Sequence, residues 1–595
     1  MRKIEIPKKT LVDNFIETVD SMNKEKHILR KKNKKYEGIS TKQFRKDVIN
    51  AALGLKQIGI KVGDRVNIMA ETSYEWLVSD LAILSVGAVT VPIYPTLPAD
   101  QALYIMNDSE SKAIFFSTKA QWEKIRSVKE DIKSIKHYII FQEQSPAEEV
   151  LTLEGLKEIG AELPEEDYYE MIKVVDSDDL ATIIYTSGTT GVPKGAMLTH
   201  FNIYSNLYTV LQILDINEKD TVFSFLPLSH VLERMVTQVY IKSGATIAYA
   251  ESIEKVAKNI PEVRPTLMVS VPRLFERIYT RIVDKALSGP PLKRKIFQWA
   301  LKVGEKKVKV DQERRKYSYK YNFQYALADK LVFSKIKNAL GGRFRFFISG
   351  GAALPKKVGE FFAMIGAPIL EGYGLTETSP VISVNTLDDF KVGTVGKPIP
   401  NVEVKIAEDG EILSRGPHIM KGYYKKEEET REVLSEDGWF STGDIGFIDE
   451  DGFLVITDRK KAIIVTLGGK NVAPQPIENR IKQSPYISNV VVIGNERKYL
   501  SALIIPDFDK IEDVSSKIGK KFKDRDEFVK DKDVEKFYLK EVKRMVPDLA
   551  DFEVIKRVAL LKEDFSIEGG ELTPTLKVKR TFVEKKYKKI IDSLY

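Results

Sequence analysis

A short segment rich in glycine and hydroxyl side chains, residues 185–195, constrains this chain more than any other. It follows the apolar run 180–184, which has the composition of a buried strand that ends in a loop. Glycines let a loop backbone approach a ligand closely, and hydroxyl and N–H groups can donate to phosphate oxygens. Lys194 adds a mobile positive charge. The segment therefore predicts a loop that holds a nucleotide polyphosphate.

The loop differs from a Walker A loop, in which a glycine is followed by four residues and then Gly-Lys-Ser/Thr. Here the residue five positions after Gly188 is Pro193. A flexible surface loop is the other interpretation, but the preceding strand and the lysine favour phosphate binding.

The composition is that of an ordinary globular protein of 595 residues, long enough for several domain-sized units. A net charge of +8 is mild for this length and fits anionic small molecules better than nucleic acid. The chain has no cysteine, which excludes disulfides, thiolate nucleophiles and zinc-thiolate sites. Its five histidines are scattered without metal-ligand spacing.

The N-terminus lacks an apolar signal region, and no apolar run approaches the ~20 residues of a membrane span. We therefore expect a cytoplasmic protein. A lysine- and arginine-rich stretch at about 281–328 is predicted to be a helical insertion. It is either a solvated helical face or a basic surface that meets anionic lipid at the inner membrane face.

Helix and strand signals alternate through residues 40–116 and again through 200–270, the rhythm of a parallel sheet with covering helices. A helix over 329–340 and a strand over 344–349 extend this pattern. Short strands and turns take over from Thr394 and predict a β-rich subdomain. A last unit starts near Arg459. The expected fold is α/β, with a large N-terminal α/β domain and a small C-terminal α/β domain.

A second motif lies at 370–378, where Tyr373 stands between Gly372 and Gly374. An aromatic ring between two glycines can lie flat against a purine because the glycines remove nearby bulk. The hydroxyl and carboxylate that follow suit phosphate and Mg²⁺, a hard cation that prefers oxygen ligands. The other interpretation is a tight turn with a core tyrosine.

These motifs, in this order, resemble the adenylate-forming superfamily, which includes acyl-CoA synthetases, luciferases and peptide-synthetase adenylation domains. The resemblance covers roughly residues 20–590. Segment 271–278, the basic insertion after it and segment 457–461 look like AMP-forming long-chain fatty acid–CoA ligases. The resemblance implies an N-terminal adenylate-forming domain over 1–457, a hinge at 458–461 and a mobile C-terminal domain over 462–595.

The resemblance also assigns roles to residues of both motifs. It implies that Tyr373 stacks on adenine and Thr376 contacts the α-phosphate. Mg²⁺ would be held by Thr186 and Glu377. The cofactor-binding residues that it implies are Thr186, Ser187, Gly188, Thr189, Thr190, Gly191, Lys194, Gly350, Ala352, Glu371, Gly372, Tyr373, Gly374, Asp444, Arg459, Lys461 and Gly469.

Asp444, at the end of segment 439–444, matches the family aspartate that binds ribose, since one carboxylate can accept from both ribose hydroxyls. Arg459 matches an arginine that also reaches the ribose, and Lys461 aligns with the hinge position. Gly469 lies in a loop that resembles the lining of the pantetheine channel.

The implied catalytic residues are Thr376, Glu377, His230 and Lys577. A lone histidine such as His230 would ordinarily be structural, but the resemblance places it by the acyl carboxylate. Lys577 aligns with the lysine that bridges the carboxylate and the α-phosphate during adenylation. Leu576 stands where the family usually has glycine, so Lys579 stays open as the alternative.

The implied reaction uses ATP, Mg²⁺ and CoA to convert a long-chain fatty acid to acyl-AMP and then to a CoA thioester. Three alternatives stay open: a ligase for aryl or short-chain acids, acyl transfer to a carrier protein, and a silent nucleotide- or lipid-binding protein. The oligomeric state also stays open, with a homodimer as one outcome.

Overall fold

The structure, a computed structural model, describes residues 3–186, 192–312, 319–460, 463–566, 568–573 and 577–595. The chain divides into two compact units. The first comprises Met1–Lys405, Leu413–Ser441 and Ile448–Val455, and the second comprises Ile406–Ile412, Thr442–Phe447 and Ile456–Tyr595. The domain limits and the hinge drawn from the sequence stay predictions.

The strands run through the whole described chain. The first sixteen are β1 Ile28–Lys32, β2 Lys35–Ile39, β3 Arg65–Met69, β4 Val89–Pro92, β5 Ala113–Phe116, β6 His137–Ile140, β7 Val150–Thr152, β8 Leu180–Thr186, β9 Lys194–Thr199, β10 Thr221–Ser224, β11 Thr246–Tyr249, β12 Leu267–Ser270, β13 Phe346–Ser349, β14 Ile369–Gly374, β15 Val381–Val384 and β16 Lys397–Pro398. The others are β17 Glu403–Ile406, β18 Glu411–Arg415, β19 Gly422–Tyr423, β20 Phe440–Ile448, β21 Leu454–Arg459, β22 Ile464–Val465, β23 Asn471–Val472, β24 Ile487–Ile493, β25 Leu500–Pro506 and β26 Ile555–Leu560.

Helices connect most of these strands. The helices before residue 340 are α1 Leu11–Ser21, α2 Thr41–Gln57, α3 Tyr74–Ser85, α4 Ala99–Asp108, α5 Lys119–Arg126, α6 Leu153–Ala161, α7 Glu166–Ile172, α8 His200–Leu211, α9 Val231–Ser243, α10 Val256–Val263, α11 Pro272–Leu287, α12 Pro291–Gln312, α13 Tyr319–Ala328 and α14 Ser334–Ala339. The later helices are α15 Lys356–Met364, α16 Glu427–Arg431, α17 Pro474–Ile481, α18 Ile511–Ile518, α19 Arg525–Lys530, α20 Lys532–Met545, α21 Arg580–Lys586 and α22 Lys588–Asp592.

Two large sheets form the first unit. One has eight strands in the order β19-β9-β8-β4-β3-β5-β6-β7, parallel from β8 to β7 and antiparallel where β9 joins β8 and β19 joins β9. The other has nine strands in the order β16-β15-β14-β13-β12-β10-β11-β1-β2, with a parallel centre. The predicted α/β class with parallel sheets is confirmed.

In helices α3 and α2, the spacing of apolar residues along the sequence matches the side chains that the fold buries. Ser73 caps α3 through its side chain, and every residue from Tyr74 to Ser85 except Glu75 is buried. A helix that is buried on nearly all sides belongs to the interior, not to the surface. The neighbouring α2 buries Phe44, Val48, Ala52 and Leu55, the stripe that its helical spacing predicts.

The predicted insertion is helical where the structure describes it, as α11, α12 and α13. The single helix predicted over 329–340 is wrong in detail. A π-helical segment, Asp329–Phe333, precedes α14 there, and Asp329 accepts from the Ser334 hydroxyl at 2.8 Å. Strands β17, β18, β20 and β21 form a four-stranded sheet, which agrees with the predicted β-rich segment.

The second unit has its own apolar core. Strands β24, β25 and β26 form a sheet in that order, with β25 buried along its whole length. Side chains of α17, α18, α19 and α20 pack in the same buried cluster as one face of this sheet. The short hairpin β22–β23 adds Ile464 and Val472 to that core.

Candidate functional site

The predicted phosphate loop connects two paired strands. Thr186 at the end of β8 pairs with Lys194 at the start of β9, and the Thr186 hydroxyl donates to the Lys194 carbonyl at 3.4 Å. Ser187, Gly188, Thr189, Thr190 and Gly191 lie outside the described residues, so their phosphate contacts stay a prediction. The hairpin shows how the ends of that loop are anchored.

The second motif follows β14 into a single helical turn, Thr376–Thr378. Gly374 is required there by a close backbone approach, because a Cβ at this position would lie 1.6 Å from the Pro380 carbonyl oxygen. Tyr373 is half-buried on the same strand. The turn therefore presents Thr376 and Glu377 directly after the glycine-flanked ring.

Tyr423 joins the two motifs, although no local pattern in the sequence marks it as a site residue. Its hydroxyl donates to Glu377 Oε1 at 2.9 Å, and the Lys194 ammonium lies 5.4 Å from its ring centroid. Burial and the nearby Glu377 carboxylate raise the pKa of Tyr423, which keeps it a donor at neutral pH. Its strand, β19, pairs with β9. Tyr423 thus connects the lysine beside the phosphate loop with the carboxylate after the purine motif.

Glu371 is predicted to contact the nucleotide, and the structure shows what else its carboxyl group does. It is buried and accepts the Leu354 N–H at 3.2 Å and the Gly393 N–H. Burial raises its pKa to about 7, against the opposing effect of the two N–H donors. Glu371 therefore ties β14 to the loop after β13, which carries Gly350 and the exposed Ala352.

His230 caps the start of α9, where its Nδ1 accepts the Leu232 N–H at 3.2 Å. A neutral imidazole with an accepting Nδ1 carries its proton on Nε2. That tautomer can donate to a carboxylate, which suits substrate binding better than proton abstraction. The role of His230 in acyl binding stays a prediction.

The first turn of α9 also buries two charged residues, Glu233 and Arg234, that no sequence motif marks. Ser224 donates to Glu233 at 2.5 Å, and burial raises the pKa of Glu233 to about 8. Arg234 forms two bonds with Asp80 of α3, at 2.8 Å and 2.6 Å, and both side chains are almost fully buried. These contacts hold α9 against α3 and β10, and they thereby fix the position of His230 at the start of α9.

In the second unit, Asp444 and Arg459, both predicted to reach the ribose, form an ion pair with each other. Arg459 Nε lies 3.0 Å from Asp444 Oδ1, the carboxylate being buried and the guanidinium about half-exposed. Adjacent strands β20 and β21 carry the pair. Lys461 lies outside the described residues, and the ribose contacts of the pair stay a prediction.

Lys577 lies in a β-hairpin formed by segments 571–573 and 577–579. The Thr573 N–H donates to the Lys577 carbonyl at 2.8 Å, and Leu572 bridges Val578 in antiparallel fashion. The Lys577 side chain is exposed, whereas Lys579 is two residues nearer the hairpin base and partly buried. Lys577 is thus the more exposed of the two candidate lysines, and the choice between them as the adenylation lysine stays a prediction.

Gly469 lies in the β22–β23 hairpin with φ of +71°, a left-handed conformation that favours glycine. No heavy atom lies within 4 Å of where its Cβ would be, apart from its own chain neighbours. The backbone is thus open to a ligand at this point, which suits the predicted CoA contact without testing it.

Two oxygen-bearing side chains fit the predicted Mg²⁺ site. Thr186 and Glu377 supply a hydroxyl and a carboxylate, donors that suit a hard cation. Strand β9, paired with β8 beyond Thr186, contacts the turn that carries Glu377. Elsewhere in the described ranges, no three His, Asp or Glu side chains cluster as a metal site. A cation held mainly by substrate phosphates needs few protein ligands.

The chain belongs to the AMP-binding enzyme family, whose sequence model matches residues 17–424. The model for the C-terminal domain of AMP-binding enzymes matches residues 461–595. Among its relatives are enzymes named long-chain-fatty-acid–CoA ligases. FadD15 of Mycobacterium bovis is 37% identical over 552 residues, covering 92% of this chain and 90% of the relative.

Two further proteins extend the comparison. The long-chain-fatty-acid–CoA ligase ACSBG2 of Homo sapiens is 31% identical over 98% of this chain and 92% of its own. The crystal structure of ATP-bound MatB from Rhodopseudomonas palustris matches with a TM-score of 0.70 and 25% identity, covering 97% of this chain and 99% of that chain. The predicted family is confirmed. Across the described helices, none is both long and apolar enough to cross a membrane.

Proposed function

We propose that this protein is a long-chain fatty acid–CoA ligase of the AMP-forming type. The observation that carries the proposal is Tyr423, which links Lys194 beside the phosphate loop to Glu377 after the purine motif. The long-chain ligases among its relatives support the same substrate class. Its cofactors would be ATP and Mg²⁺, with CoA as co-substrate.

The reaction proceeds in two steps. In the first, a fatty acid carboxylate oxygen bonds to the α-phosphorus of ATP, the bond to the β-phosphate oxygen breaks, and pyrophosphate leaves. In the second, the CoA sulfur bonds to the acyl carbon, the bond to AMP breaks, and the thiol proton passes to water. Both steps build charge on oxygen atoms, so fixed donors and cations lower their barriers.

Residues of the chain would divide this work. Lys194 and the phosphate loop hold the β- and γ-phosphates, Tyr373 covers the adenine, and Thr376 contacts the α-phosphate. Thr186 and Glu377 would hold Mg²⁺, which neutralises phosphate charge when bound. His230 donates through Nε2 to the carboxylate, and Lys577 bridges it to the α-phosphate.

The ribose contact leads to a direct prediction for ATP binding. Asp444→Ala should raise the ATP KM about 10- to 150-fold, because losing a charged hydrogen-bond partner costs about 1.5–3 kcal/mol. Folding should change little, since Arg459, its ion-pair partner, is about half-exposed. Initial rates across ATP concentrations measure the effect, with the exposed Asp437→Ala as matched control. An unchanged ATP KM would place the ribose elsewhere.

The acyl chain should be long and unbranched, and a substrate panel tests the proposed function. Each buried methylene contributes about 0.8 kcal/mol, so kcat/KM should rise about fourfold per added methylene until the site is full. Acetate, octanoate, laurate, palmitate and cinnamate make a sufficient panel with CoA. A preference for acetate or cinnamate would reject the long-chain assignment. Pyrophosphate release without any CoA-dependent release of AMP would favour a carrier protein as acceptor.

We further propose a cytoplasmic location with peripheral contact to anionic lipid. The helices of the insertion expose Leu292 and Phe323, each at 70%, and Lys293, Arg294 and Lys295 follow the leucine. Exposed apolar side chains flanked by cations suit the headgroup region. The double substitution Leu292→Glu with Phe323→Glu should reduce cosedimentation with phosphatidylglycerol vesicles. Equal sedimentation of both proteins with phosphatidylcholine and phosphatidylglycerol would contradict the proposal.

A further inference from the structure

A single guanidinium lies among carboxylates from three functional segments of the second unit. Arg580 opens α21 only three residues after Lys577. Its neighbours include Glu478 of α17, Asp458 at the end of β21 and Glu584 one turn later in α21. None of these residues belongs to the predicted nucleotide or CoA contacts.

The direct contacts of Arg580 bind it to strand β24. One guanidinium nitrogen donates to the Val492 carbonyl at 2.5 Å, and another pairs with Glu478 Oε1. The same Glu478 oxygen accepts the Val492 N–H at 2.8 Å. The ion pair is largely buried, with exposures of 20% for Arg580 and 11% for Glu478. Arginine suits such a position because its planar fork holds two acceptors at once.

Asp458 brings the segment next to Arg459 into the same cluster. It is 4% exposed and accepts the N–H of Arg459 at 2.6 Å and the N–H of Gln475 at 3.4 Å. Burial raises the pKa of Asp458, while the Arg580 guanidinium acts in the opposite sense. Gln475 lies in the first turn of α17, which follows the hairpin that carries Gly469. The cluster thus spans the segment beside the hinge, the glycine hairpin and α21.

The chain between Arg580 and Lys577 has fixed hydrogen bonds. The Lys579 N–H donates to the Glu571 carbonyl at 2.7 Å, and the Val583 N–H donates to the Lys579 carbonyl at 3.0 Å. Glu571 is buried and pairs with Lys586 of α21. Hairpin and helix therefore form one piece. Arg580 connects that piece to β24 and α17, so it sets where Lys577 lies within the unit.

We propose that Arg580 is a positioning residue for adenylation, which orients Lys577 through the hairpin and is not needed for thioester formation. This inference rests on the proposed role of Lys577. A displacement of a reacting group by about 1 Å can cost about 10²-fold in rate, so a loosened hairpin should slow only the step that uses Lys577.

The test compares the two half-reactions in the full-length protein. Arg580→Met should lower pyrophosphate release from ATP and palmitate by about 10- to 100-fold. Thioester formation from synthetic palmitoyl-AMP and CoA should stay within about twofold. Arg580→Lys should fall between, because lysine keeps the charge but not the fork. Arg480→Met is the matched control, since Arg480 forms an exposed ion pair with Asp548 in the same unit.

A second comparison separates positioning from general damage to the unit. In a Lys577→Ala background, Arg580→Met should lower pyrophosphate release by less than about twofold more. The two substitutions remove the same contribution, that of a correctly placed Lys577. Glu478→Gln retains the Arg580 side chain but removes its charged partner. Pyrophosphate release should therefore fall by less than in Arg580→Met, while thioester formation should again stay within about twofold. Glu478→Gln carries the test if Arg580→Met fails to fold.

Two results would overturn the inference. One is an equal loss in both half-reactions for Arg580→Met and Glu478→Gln; the other is a full additional loss in the Lys577→Ala background. Absence of pyrophosphate release by the unsubstituted protein would instead reject the proposed function.

Discussion

Lys577→Ala should nearly abolish acyl-AMP formation while thioester formation from supplied acyl-AMP continues. The first step places negative charge between the carboxylate and the α-phosphate, where a mobile ammonium lowers the barrier. Removing one such donor typically costs about 10²- to 10³-fold in rate. The second step starts from a formed acyl-AMP and does not need that bridge.

Pyrophosphate release without CoA measures the first step, and palmitoyl-CoA formation from synthetic palmitoyl-AMP measures the second. Lys579→Ala is the matched control, because it removes a lysine two residues nearer the hairpin base. Loss of the first step in Lys579→Ala alone would show that the lysine is misaligned by two residues. Equal loss of both steps in Lys577→Ala would show that one lysine serves both half-reactions.

Asp80→Ala should strongly destabilise the first unit, by about 3–5 kcal/mol. It leaves Arg234 as a buried, unpaired charge, and it also removes the acceptor of the Thr90 hydroxyl. Replacing both partners, as Asp80→Leu with Arg234→Met, should recover much of the loss because no charge then stays buried.

Tryptophan fluorescence during urea unfolding reports this change selectively. All four tryptophans, Trp76, Trp122, Trp299 and Trp439, belong to the first unit, and Trp76 lies in α3 with Asp80. Asp451→Ala is the control, since its ion pair with Lys391 is exposed and should contribute about 0–1 kcal/mol. Equal unfolding midpoints for Asp80→Ala and Asp451→Ala would contradict the importance of the buried pair.

The elements that could be predicted from the sequence are those whose signal lies within a few consecutive residues. The Gly372-Tyr373-Gly374 run, the capped helices and the buried strand at 180–184 each carry their signal within a few residues. Asp444 and Arg459 each lie in a short motif, but their ion pair was not predicted, because it depends on the contact between strands β20 and β21. The same local rules erred at 329–340, where a π-helical segment interrupts the expected helix.

Long-range contacts could not be predicted from one sequence. Tyr423 stands 46 residues after its partner Glu377, in a two-residue strand without a periodic pattern. Arg580 stands 102 residues after Glu478, and Arg234 stands 154 after Asp80. Each of these pairs exists only because strands and helices distant in sequence meet in the fold. A charged residue in a helix ordinarily indicates a solvated face, so its burial gave no local signal.

The most direct test of the account is the product balance of one reaction. Protein, Mg²⁺, ATP, palmitate and CoA are incubated together, and nucleotides and acyl products are quantified by chromatography. We expect palmitoyl-CoA, AMP and pyrophosphate to form in equal amounts, with no palmitoyl-CoA when ATP or CoA is omitted. Formation of ADP and phosphate in place of AMP and pyrophosphate, or the absence of palmitoyl-CoA, would contradict the account.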